Sequence, residues 1–563
     1  MRFSTILSAS LLFLLLACQS SKYNIQKQLM GDKAMVVSAH PLASEAGRDI
    51  LRRGGNAIDA MVAVHFTLAV VYQRAGNIAG GGFLVYRDKD GKAETLDFRE
   101  KAPAAATRNM YLDDAGNPID SLSRKGCLAV GVPGSVAGLY EAHKKHGKLP
   151  WAQLIEPAIR IAGKGFALTE AEAEVLNRYQ TEFKQVNRHN TVFQKAGTWQ
   201  AGDKIIQKDL AATLRLIQEK GRDGFYKGKT ADLLVAEIKA GGGLISHKDL
   251  TDYEAKWRAP ISVPYKKDYR IISMPPPSSG GLLLANMMAM IEDQPVEKMG
   301  FHTIASTHLL TEVERRAFAD RAELMGDVDF FPVPIEAMLQ KEYAKSRMRS
   351  FSFQKASKSK DIKAGKPIKI AEETTHYSIV DAAGNAVSVT TTLNGNFGSF
   401  VVVKGGGFVL NNEMDDFSAK PGSPNMYGLL GSEANAIAPG KRMLSSMTPT
   451  IVEKNGKLYM VLGTPGGSTI ITSVFQVLVN MIEFRMTLED AVQKPRFHHQ
   501  WLPDIIYHEI GAFDETTILR LKEMGHSFEE RESIGRVDAI LVHPDGKLEG
   551  VADERGDDSA AGY

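Results

Sequence analysis

The sequence predicts an α/β protein built from buried helices and antiparallel strands. Residues 57–72 and 470–482 are apolar on nearly every side, which is typical of helices enclosed by other elements. Asn-Gly at 455–456 and Asp-Gly at 545–546 each separate two apolar segments, which indicates β-hairpins. Polar and apolar side chains alternate on both sides of a turn within 374–394, which predicts a third pair of strands. Elements of both kinds bury their apolar faces by packing in layers.

Length and composition bound the class of protein. The chain has 563 residues, more than one ordinary core requires, so its length suggests several domains. Hydrophobic residues make up 44% of the chain and charged residues 24%, which is usual for a globular protein. The net charge of +2 gives no basis for a nucleic acid or an anionic surface as partner. Two cysteines, Cys18 and Cys127, are too few for a disulfide framework.

Residues 1–18 have the features of an export signal. A basic residue precedes an apolar run that is short for a membrane span, and a small residue precedes Cys18. Leu-Leu-Ala-Cys at 15–18 resembles a bacterial lipobox, which predicts a lipid on Cys18. Gln19 then favours anchoring to the outer membrane, on the periplasmic side, with residues 19–33 as a polar tether. The alternative is an ordinary signal in which Cys18 has no role.

The segments after the tether read as helix, helix and strand. The first helical run, 42–53, stops at a Gly-Gly pair, and Asn56 caps the second. A glycine-rich turn at 76–82 leads into a strand. The order of elements that a phosphate-binding loop needs is absent, so a packing turn is the better interpretation. Arg99 ends a strand at 96–100, where the residues alone favour a surface ion pair.

The middle of the chain, 130–345, is mostly helical in pattern. Residues 303–325 predict an amphipathic helix whose solvent-facing side carries four charged residues, namely Glu312, Glu314, Arg315 and Arg316. The proline-rich run at 274–281 is either a stiff elbow or part of a site, and the pattern favours the elbow. Residues 350–372 are rich in Lys and Ser, which predicts a solvated loop. Such a loop suits either a cleavage site or a domain linker.

Thr374 is the candidate nucleophile, because it begins a strand just after that loop. Thr374, His376 and Ser378 would share one face of the first strand. Thr390, Thr392 and Asn394 would share a face of the second. A threonine hydroxyl is inert near neutral pH unless a base is close, and a free α-amine, with a pKa of about 7.7–8.0, is such a base. A chain that cuts itself before Thr374 would create that amine, as N-terminal nucleophile hydrolases do.

Five motifs together resemble the γ-glutamyltranspeptidase family. They are LDFRE at 96–100, TTHYS at 374–378, NNEMDDFS at 411–418, LSSM at 444–447 and GTPGGS at 463–468. They stand in the family's order, and the resemblance runs from about 34 to 563. It implies the α-β-β-α sandwich of the N-terminal nucleophile hydrolases, formed jointly by a large subunit, 34–373, and a small catalytic subunit, 374–563, that pair as a heterodimer.

The resemblance also assigns site residues. It implies a catalytic set of Thr374, its orienting partner Thr392, and the oxyanion donors Gly466 and Gly467. It implies that the glutamate end of the substrate is bound by six residues, namely Arg99, Asn394, Glu413, Asp416, Ser445 and Ser446. An arginine fork suits the α-carboxylate, and acidic or amide oxygens suit the ammonium. Residues 419–431, with Tyr427, resemble the lid loop of some members.

The implied activity is transfer of the γ-glutamyl group of glutathione and other γ-glutamyl amides, through an acyl-enzyme, to water or to acceptor amino acids and dipeptides. No cofactor is expected. No metal is expected either, because the pair Asp415-Asp416 has no histidine at ligand spacing and His498-His499 are adjacent in sequence.

Three other functions remain open at this point. A related acylase or a poly-γ-glutamate depolymerase would use the same nucleophile, and Arg99 with Asp416 and the two serines argues for the glutamyl substrate instead. A non-catalytic surface lipoprotein would be found as one uncut chain. A Ser-His-Asp hydrolase lacks the Gly-x-Ser-x-Gly turn in this sequence.

Overall fold

The structure, a computed structural model, describes residues 23–363 and 374–563. The predicted signal, Cys18, the start of the tether and the segment just before Thr374 lie outside these ranges. Two seven-stranded antiparallel sheets form the centre of the described chain. Within the described ranges, no helix combines the length and apolar character that crossing a membrane requires.

The first sheet contains the strand that follows Thr374, in its third position. In spatial order its strands are Ser559–Gly562, Met35–Ser38, Thr375–Val380, Ala386–Thr392, Gly81–Arg87, Ala93–Asp97 and Lys256–Arg258. The order interleaves strands from before and after residue 374, so the two predicted subunits share one sheet.

The second sheet carries both predicted hairpins. In spatial order its strands are Gln28–Gly31, Leu548–Ala552, Asp538–Val542, Lys457–Gly463, Thr450–Lys454, Tyr269–Ser273 and Ile261–Tyr265. The Asn455-Gly456 turn has positive φ at both residues, 51° and 75°, which the sequence pattern anticipated. Two small sheets lie outside the pair, formed by Phe497–His498, Ile506–Glu509 and Phe528–Arg531, and by Phe166–Ala167 and Lys204–Ile205.

Helices cover the outer faces of both sheets. The α-helices of the described ranges are Pro41–Arg52, Ala57–Val71, Asp120–Arg124, Ser135–His146, Trp151–Lys164, Glu170–Val186, Lys208–Lys220, Asp223–Tyr226, Gly228–Ala240, His247–Thr251, Gly280–Ile291, Val296–Met299, Ile304–Leu324, Ile335–Met338, Lys341–Met348, Thr469–Ile482, Leu488–Gln493 and Glu515–Glu523. As predicted, Asn56 caps its helix through a reciprocal bond pair with Asp59, and every residue of that helix is buried.

Three apolar cores show the four layers. One lies between the first sheet and helices such as Ala57–Val71. A second lies between the other sheet and helices such as Thr469–Ile482. The third fills the space between the sheets, where Val380 and Ala386 of one meet Ile451 and Val461 of the other. The α-β-β-α sandwich is therefore confirmed.

The register of the central hairpin decides where the predicted polar faces lie. Thr375 pairs with Thr391 and His376 with Thr390, so directly opposed residues project to the same side. His376 Nδ1 lies 2.9 Å from Thr390 Oγ1. Because side chains alternate, Tyr377 and Ile379 enter the helix-covered core instead. The two predicted polar faces are thus a single surface, directed between the sheets.

The glycine-rich turn serves close packing, as predicted. A Cβ atom on Gly80 would lie 2.0 Å from the carbonyl oxygen of Thr392, and one on Gly82 would lie 2.5 Å from that of Thr390. The absence of side chains lets this turn approach the second strand of the central hairpin.

The helix Ile304–Leu324 contradicts the prediction of a solvent-facing side. The four charged residues assigned to that side are all buried, namely Glu312, Glu314, Arg315 and Arg316. Glu312 accepts from Ser357, and Arg315 contacts Asp504, so distant segments supply the polar partners. A row of charged residues on one helix face predicts that the face is exposed to solvent only when no other polar segment covers it.

Two segments expected to be free of the fold are bound to it. Gln28–Gly31, within the predicted tether, pairs with Leu548–Ala552 as an edge strand. Within the predicted solvated loop, the amide of Ser359 donates to Asp504, and Trp501 donates to the carbonyl of Ser359. Both predictions are wrong for these residues, because backbone groups on polar segments can join a sheet edge or a buried network as readily as water.

Candidate active site

Thr374 lies at the entrance to the space between the two sheets. It immediately precedes the strand Thr375–Val380, and its side chain is 4% exposed. Thr392 ends the neighbouring strand Ala386–Thr392. Its Oγ1 accepts a hydrogen bond from the amide of Asn394 at 2.7 Å. The antiparallel register thereby brings the predicted nucleophile and its predicted orienting hydroxyl to the same end of the sheet.

Both candidate oxyanion glycines require a backbone that other residues rarely adopt. Gly466 has φ of 134° and Gly467 has φ of 49°. They directly precede the buried helix Thr469–Ile482, whose first amides carry partial positive charge. Glycine is thus needed here for conformation as well as for close approach to a substrate.

A narrow cleft brings most of the predicted site together. Its lining includes Thr374, Thr392, Asn394, Arg99, Asp416, Ser445, Ser446, Gly467 and Tyr427. These residues come from both sides of residue 374 in the chain. Glu413 and Gly466 are not among the lining residues, and Glu413 contacts one of them, Arg99.

Arg99 is buried among acidic groups, so the surface ion pair that its local sequence favours is wrong. Its side chain is 1% exposed. Nη1 lies 2.6 Å from Glu413 Oε2, and Nη2 bonds Asp416. The carbonyls of Met443 and Leu444 accept two further bonds from the guanidinium. Burial lowers the pKa of Arg99, but the carboxylates of Glu413 and Asp416 outweigh burial and raise it, so the group stays charged.

Glu100 adds a third carboxyl, which the sequence reasoning passed over. Its Oε2 lies 3.6 Å from Arg99 Nη1, and neither of its oxygens has a hydrogen-bond partner among the described residues. Burial raises the pKa of Glu100 to about 8, although Arg99 opposes this. Burial likewise raises the pKa of Glu413 and of Asp416, against the same opposing influence. The free site can therefore hold protons at neutral pH.

The two serines lie opposite this acidic group. The run 274–281 packs along them, because Ser279 donates from its amide to the carbonyl of Ser445 at 2.9 Å and Ser445 donates to the carbonyl of Pro277. The proline-rich run therefore holds the backbone of the segment that carries the two serines, and the simple elbow favoured by its pattern is an incomplete interpretation.

The lid candidate is bonded to the residues it covers. Tyr427 Oη donates to the carbonyl of Asn394 at 2.7 Å. Asn425 Nδ2 donates to Asp416 Oδ1 at 2.9 Å, and the amide of Met426 donates to Asp415 Oδ2 at 2.8 Å. The lid candidate is thus hydrogen-bonded to both Asp415 and Asp416.

The candidate metal ligands in this region point in different directions. Asp415 accepts from Ser123 and from the lid, whereas Asp416 faces Arg99. Burial lowers the pKa of His498 to about 3 and that of His499 to about 4, so both are neutral packing residues.

In the described ranges, one cluster of possible metal ligands brings its atoms within 4.8 Å of one another, His308, Glu312 and His526. Its two imidazoles already bond each other at 2.7 Å, and two arginines contact Glu312. That positive charge opposes a metal cation.

Comparison with known proteins identifies the family. A sequence profile described as Gamma-glutamyltranspeptidase matches residues 43–563. The chain is 48% identical over 519 residues to the glutathione hydrolase proenzyme of Pseudomonas sp. (strain A14), covering 92% of this chain and 90% of that protein. Identity to the glutathione hydrolase proenzyme of Escherichia coli (strain K12) is 46% over 537 residues, covering 94% and 92%. The chain belongs to the γ-glutamyltranspeptidase family.

The fold agrees with this membership of the γ-glutamyltranspeptidase family. The crystal structure of cephalosporin acylase from Bacillus halodurans superimposes with a TM-score of 0.84 at 26% identity, covering 98% of this chain and 99% of that chain. The same four-layered architecture thus also occurs in a protein named for a different acyl group, and the substrate must be argued from the site.

Sequence reasoning missed one charged residue of the cleft. Arg321 lines it beside Asp416 and Ser446 and belongs to the helix whose charges were expected to face solvent. The apolar residues Leu429, Met447 and Ile470 complete the lining. The charged stripe on residues 303–325 was the available signal, and only its burial shows that it points inward.

Proposed function

We propose that this member of the γ-glutamyltranspeptidase family cuts itself before Thr374 and then acts on glutathione and other γ-glutamyl amides as a hydrolase and acyltransferase. One observation carries the proposal: a single cleft holds the candidate nucleophile Thr374 together with Arg99, Asp416 and two serines. An acyl-transfer site thereby adjoins a set of charges that suits the amino-acid end of a γ-glutamyl donor.

Self-cleavage would begin with attack of Thr374 Oγ on the carbonyl carbon of Glu373. The C–N bond breaks as the hydroxyl proton passes to the departing nitrogen, which gives an ester and a free α-amine. Water then hydrolyses the ester, releasing the Glu373 carboxylate and restoring the Thr374 hydroxyl. The products are a large subunit that ends at Glu373 and a small subunit, residues 374–563, which stay together because the first sheet interleaves strands of both.

Turnover would reuse the same hydroxyl, with the new α-amine as its base. Oγ bonds the γ-carbonyl carbon, and the amides of Gly466 and Gly467 stabilise the oxyanion. Collapse breaks the amide bond, and the leaving amine takes the proton held by the α-amine. Water or an acceptor amine then attacks the ester carbon and gives its proton to the α-amine. The bond between that carbon and Oγ breaks, and Oγ takes the proton back from the α-ammonium, which restores Thr374.

The charges in the cleft favour a glutamyl group over other acyl groups. Arg99 supplies positive charge for the α-carboxylate, and Ser445 and Ser446 add hydroxyl donors. Asp416, with Glu413 and Asn394, offers acceptors for the ammonium. An acylase for a different acyl group is the competing function, and it would not need binding groups for both a carboxylate and an ammonium in one cleft.

Mass spectrometry of the purified protein, combined with turnover assays, tests the proposal. We expect a small subunit beginning at Thr374 and release of glutamate from glutathione and from a γ-glutamyl anilide. An anilide of glutaric acid, which lacks only the ammonium, is the matched control and should be turned over poorly. One uncut chain, or faster turnover of the glutaryl compound, would favour the non-catalytic or the acylase alternative.

We further propose export to the periplasm with a lipid on Cys18. The support is the apolar run and the Leu-Leu-Ala-Cys sequence at 15–18. The edge strand Gln28–Gly31 shortens the span available to a tether, so the body of the enzyme would lie close to the membrane surface.

A further inference from the structure

Arg321 is a buried positive charge in the cleft that no acidic side chain of the described chain neutralises directly. It lies in the last turn of Ile304–Leu324, and its side chain is 5% exposed. Among the described residues, no carboxylate oxygen lies within 4.0 Å of its guanidinium. Burial lowers the pKa of Arg321 to about 10, with Asp416 and Arg99 acting in opposite directions. The group is therefore charged at neutral pH.

Two serines hold this guanidinium in place. Nε donates to Ser279 Oγ at 3.0 Å, and Nη2 donates to Ser446 Oγ at 3.1 Å. The remaining N–H donors have no partner among the described residues. A buried cation that makes no direct ion pair costs free energy, so Arg321 points to an anion supplied from outside the chain.

The bond from Arg321 also determines what Ser446 can offer a substrate. Because Ser446 Oγ accepts from Arg321, its own hydrogen must point elsewhere, and no described group accepts it. Ser445 is arranged in the same way, since its Oγ accepts from the amide of Met447 at 3.1 Å. Both hydroxyls are thus left as donors. Ser279 Oγ in turn donates to the carbonyl of Ser445 at 2.8 Å, which joins Arg321 to the backbone of this segment.

Arg99 alone is poorly placed to neutralise an incoming carboxylate. Glu413 and Asp416 already surround it, and Glu100 lies 3.6 Å away. A zwitterionic amino-acid group that enters this site brings one negative and one positive charge. The acids can take the positive charge, and Arg321 supplies positive charge on the serine side of the cleft.

We propose that Arg321 is a positioning residue that sets the preference for an α-carboxylate, by holding Ser446 as a hydrogen-bond donor and by supplying a second positive charge. The inference rests on the proposed γ-glutamyl activity and specifies which substrates that activity selects. It predicts that an acyl donor whose α-carboxylate is replaced by a neutral amide is rejected mainly through Arg321.

Competitive inhibition by two small ligands measures this preference without requiring the ligands to react. L-glutamate carries the α-carboxylate, and isoglutamine carries a neutral amide in the same position. The inhibition constant of isoglutamine is divided by that of L-glutamate, and this ratio is measured with a γ-glutamyl anilide as substrate in the wild type and in Arg321→Gln. We expect the ratio to fall roughly tenfold to hundredfold, the range for a hydrogen bond to a charged group. KM for the anilide should rise more than kcat falls, because the contact exists before the reaction.

Three further variants separate positioning from general stability. Arg316→Gln removes a buried arginine from the same helix but outside the cleft, so it should lower thermal stability and leave the ratio unchanged. Arg321→Lys keeps the charge but cannot reach both serines as a fork, so it should retain part of the ratio. Ser279→Ala frees one side of the guanidinium and should also lower the ratio.

The outcomes distinguish the two proposals. A wild type that does not turn over the γ-glutamyl anilide would refute the proposed function. A wild type that does, together with an unchanged ratio in a folded and cleaved Arg321→Gln, would refute the role of Arg321 alone. If Arg321→Gln does not fold or cleave, Arg321→Lys and Ser279→Ala decide the question, and wild-type ratios in both would overturn the inference.

Discussion

Replacement of Arg99 is the most direct test of how the cleft is built. Arg99→Ala removes the fork proposed for the α-carboxylate, and losing such a buried charge-assisted contact costs on the order of 2–5 kcal/mol. At about 1.4 kcal/mol per tenfold, kcat/KM for a γ-glutamyl anilide should fall by roughly 30-fold to several thousand-fold. Arg99→Lys should not rescue it, because one ammonium cannot replace bonds to Glu413, Asp416 and two carbonyls.

The same substitution should also destabilise the fold by a separate route. Glu413 and Asp416 would remain buried without their counter-ion, a situation that costs up to about 3–5 kcal/mol. Protonation limits that cost, since burial already raises the pKa of both carboxyls. The loss of thermal stability should therefore be smaller at pH 5 than at pH 8. It should also be smaller in a Glu413→Gln background, where one of the two acids no longer needs a partner.

The assay combines steady-state kinetics, thermal unfolding and a denaturing gel that follows self-cleavage. Arg87→Gln is a matched control, because it breaks the buried 2.6 Å pair with Glu453 on the strands far from Thr374. It should lower stability and leave kcat/KM near that of the wild type. Arg99→Ala should still cut itself. Near wild-type kinetics in Arg99→Ala, or full activity in Arg99→Lys, would show that the reasoning about Arg99 is wrong.

Substitutions at four other residues have definite expected outcomes. Thr374→Ala should remain one inactive chain by mass spectrometry, and a Thr374→Ala protein that is cut would contradict the mechanism. Thr374→Ser should still cut itself, but more slowly, because it keeps the hydroxyl and loses the methyl group that restricts its rotamer. Burial raises the pKa of Glu100 from 4.5 to about 8, so its contribution to stability is complete below pH 4.5 and is lost as pH rises towards 8. Glu100→Gln should flatten the dependence of stability on pH in that range, and an unchanged slope would contradict this assignment to Glu100. Tyr427→Phe loses the bond to the carbonyl of Asn394, worth about 0.5–1.5 kcal/mol, and should raise KM by up to about tenfold without blocking cleavage. Cys18→Ser should move the protein from the membrane to the soluble periplasmic fraction, and unchanged partition would refute the lipid anchor.

Local signals in the sequence determined most of the secondary structure near the site. Asn56 and Asp59 identify a helix start through bonds three residues apart, and Asn455-Gly456 suits a turn with two positive φ values. Alternation predicted both central strands, and the order of five motifs predicted the family, the nucleophile and nearly all of the cleft residues. These features depend on residues that are close together in the chain, so the sequence alone is enough to predict them.

Tertiary structure alone decided which charges are buried and what pairs with them. A charged stripe on residues 303–325 predicts which side chains share a face, but the segments that cover that face come from beyond residue 350. Arg321 thereby points into the cleft, and Arg99 is enclosed by acids more than 300 residues away in the chain. The edge strand Gln28–Gly31 depends in the same way on Leu548–Ala552. Burial and long-range pairing are properties of the packed layers, so no local pattern reports them.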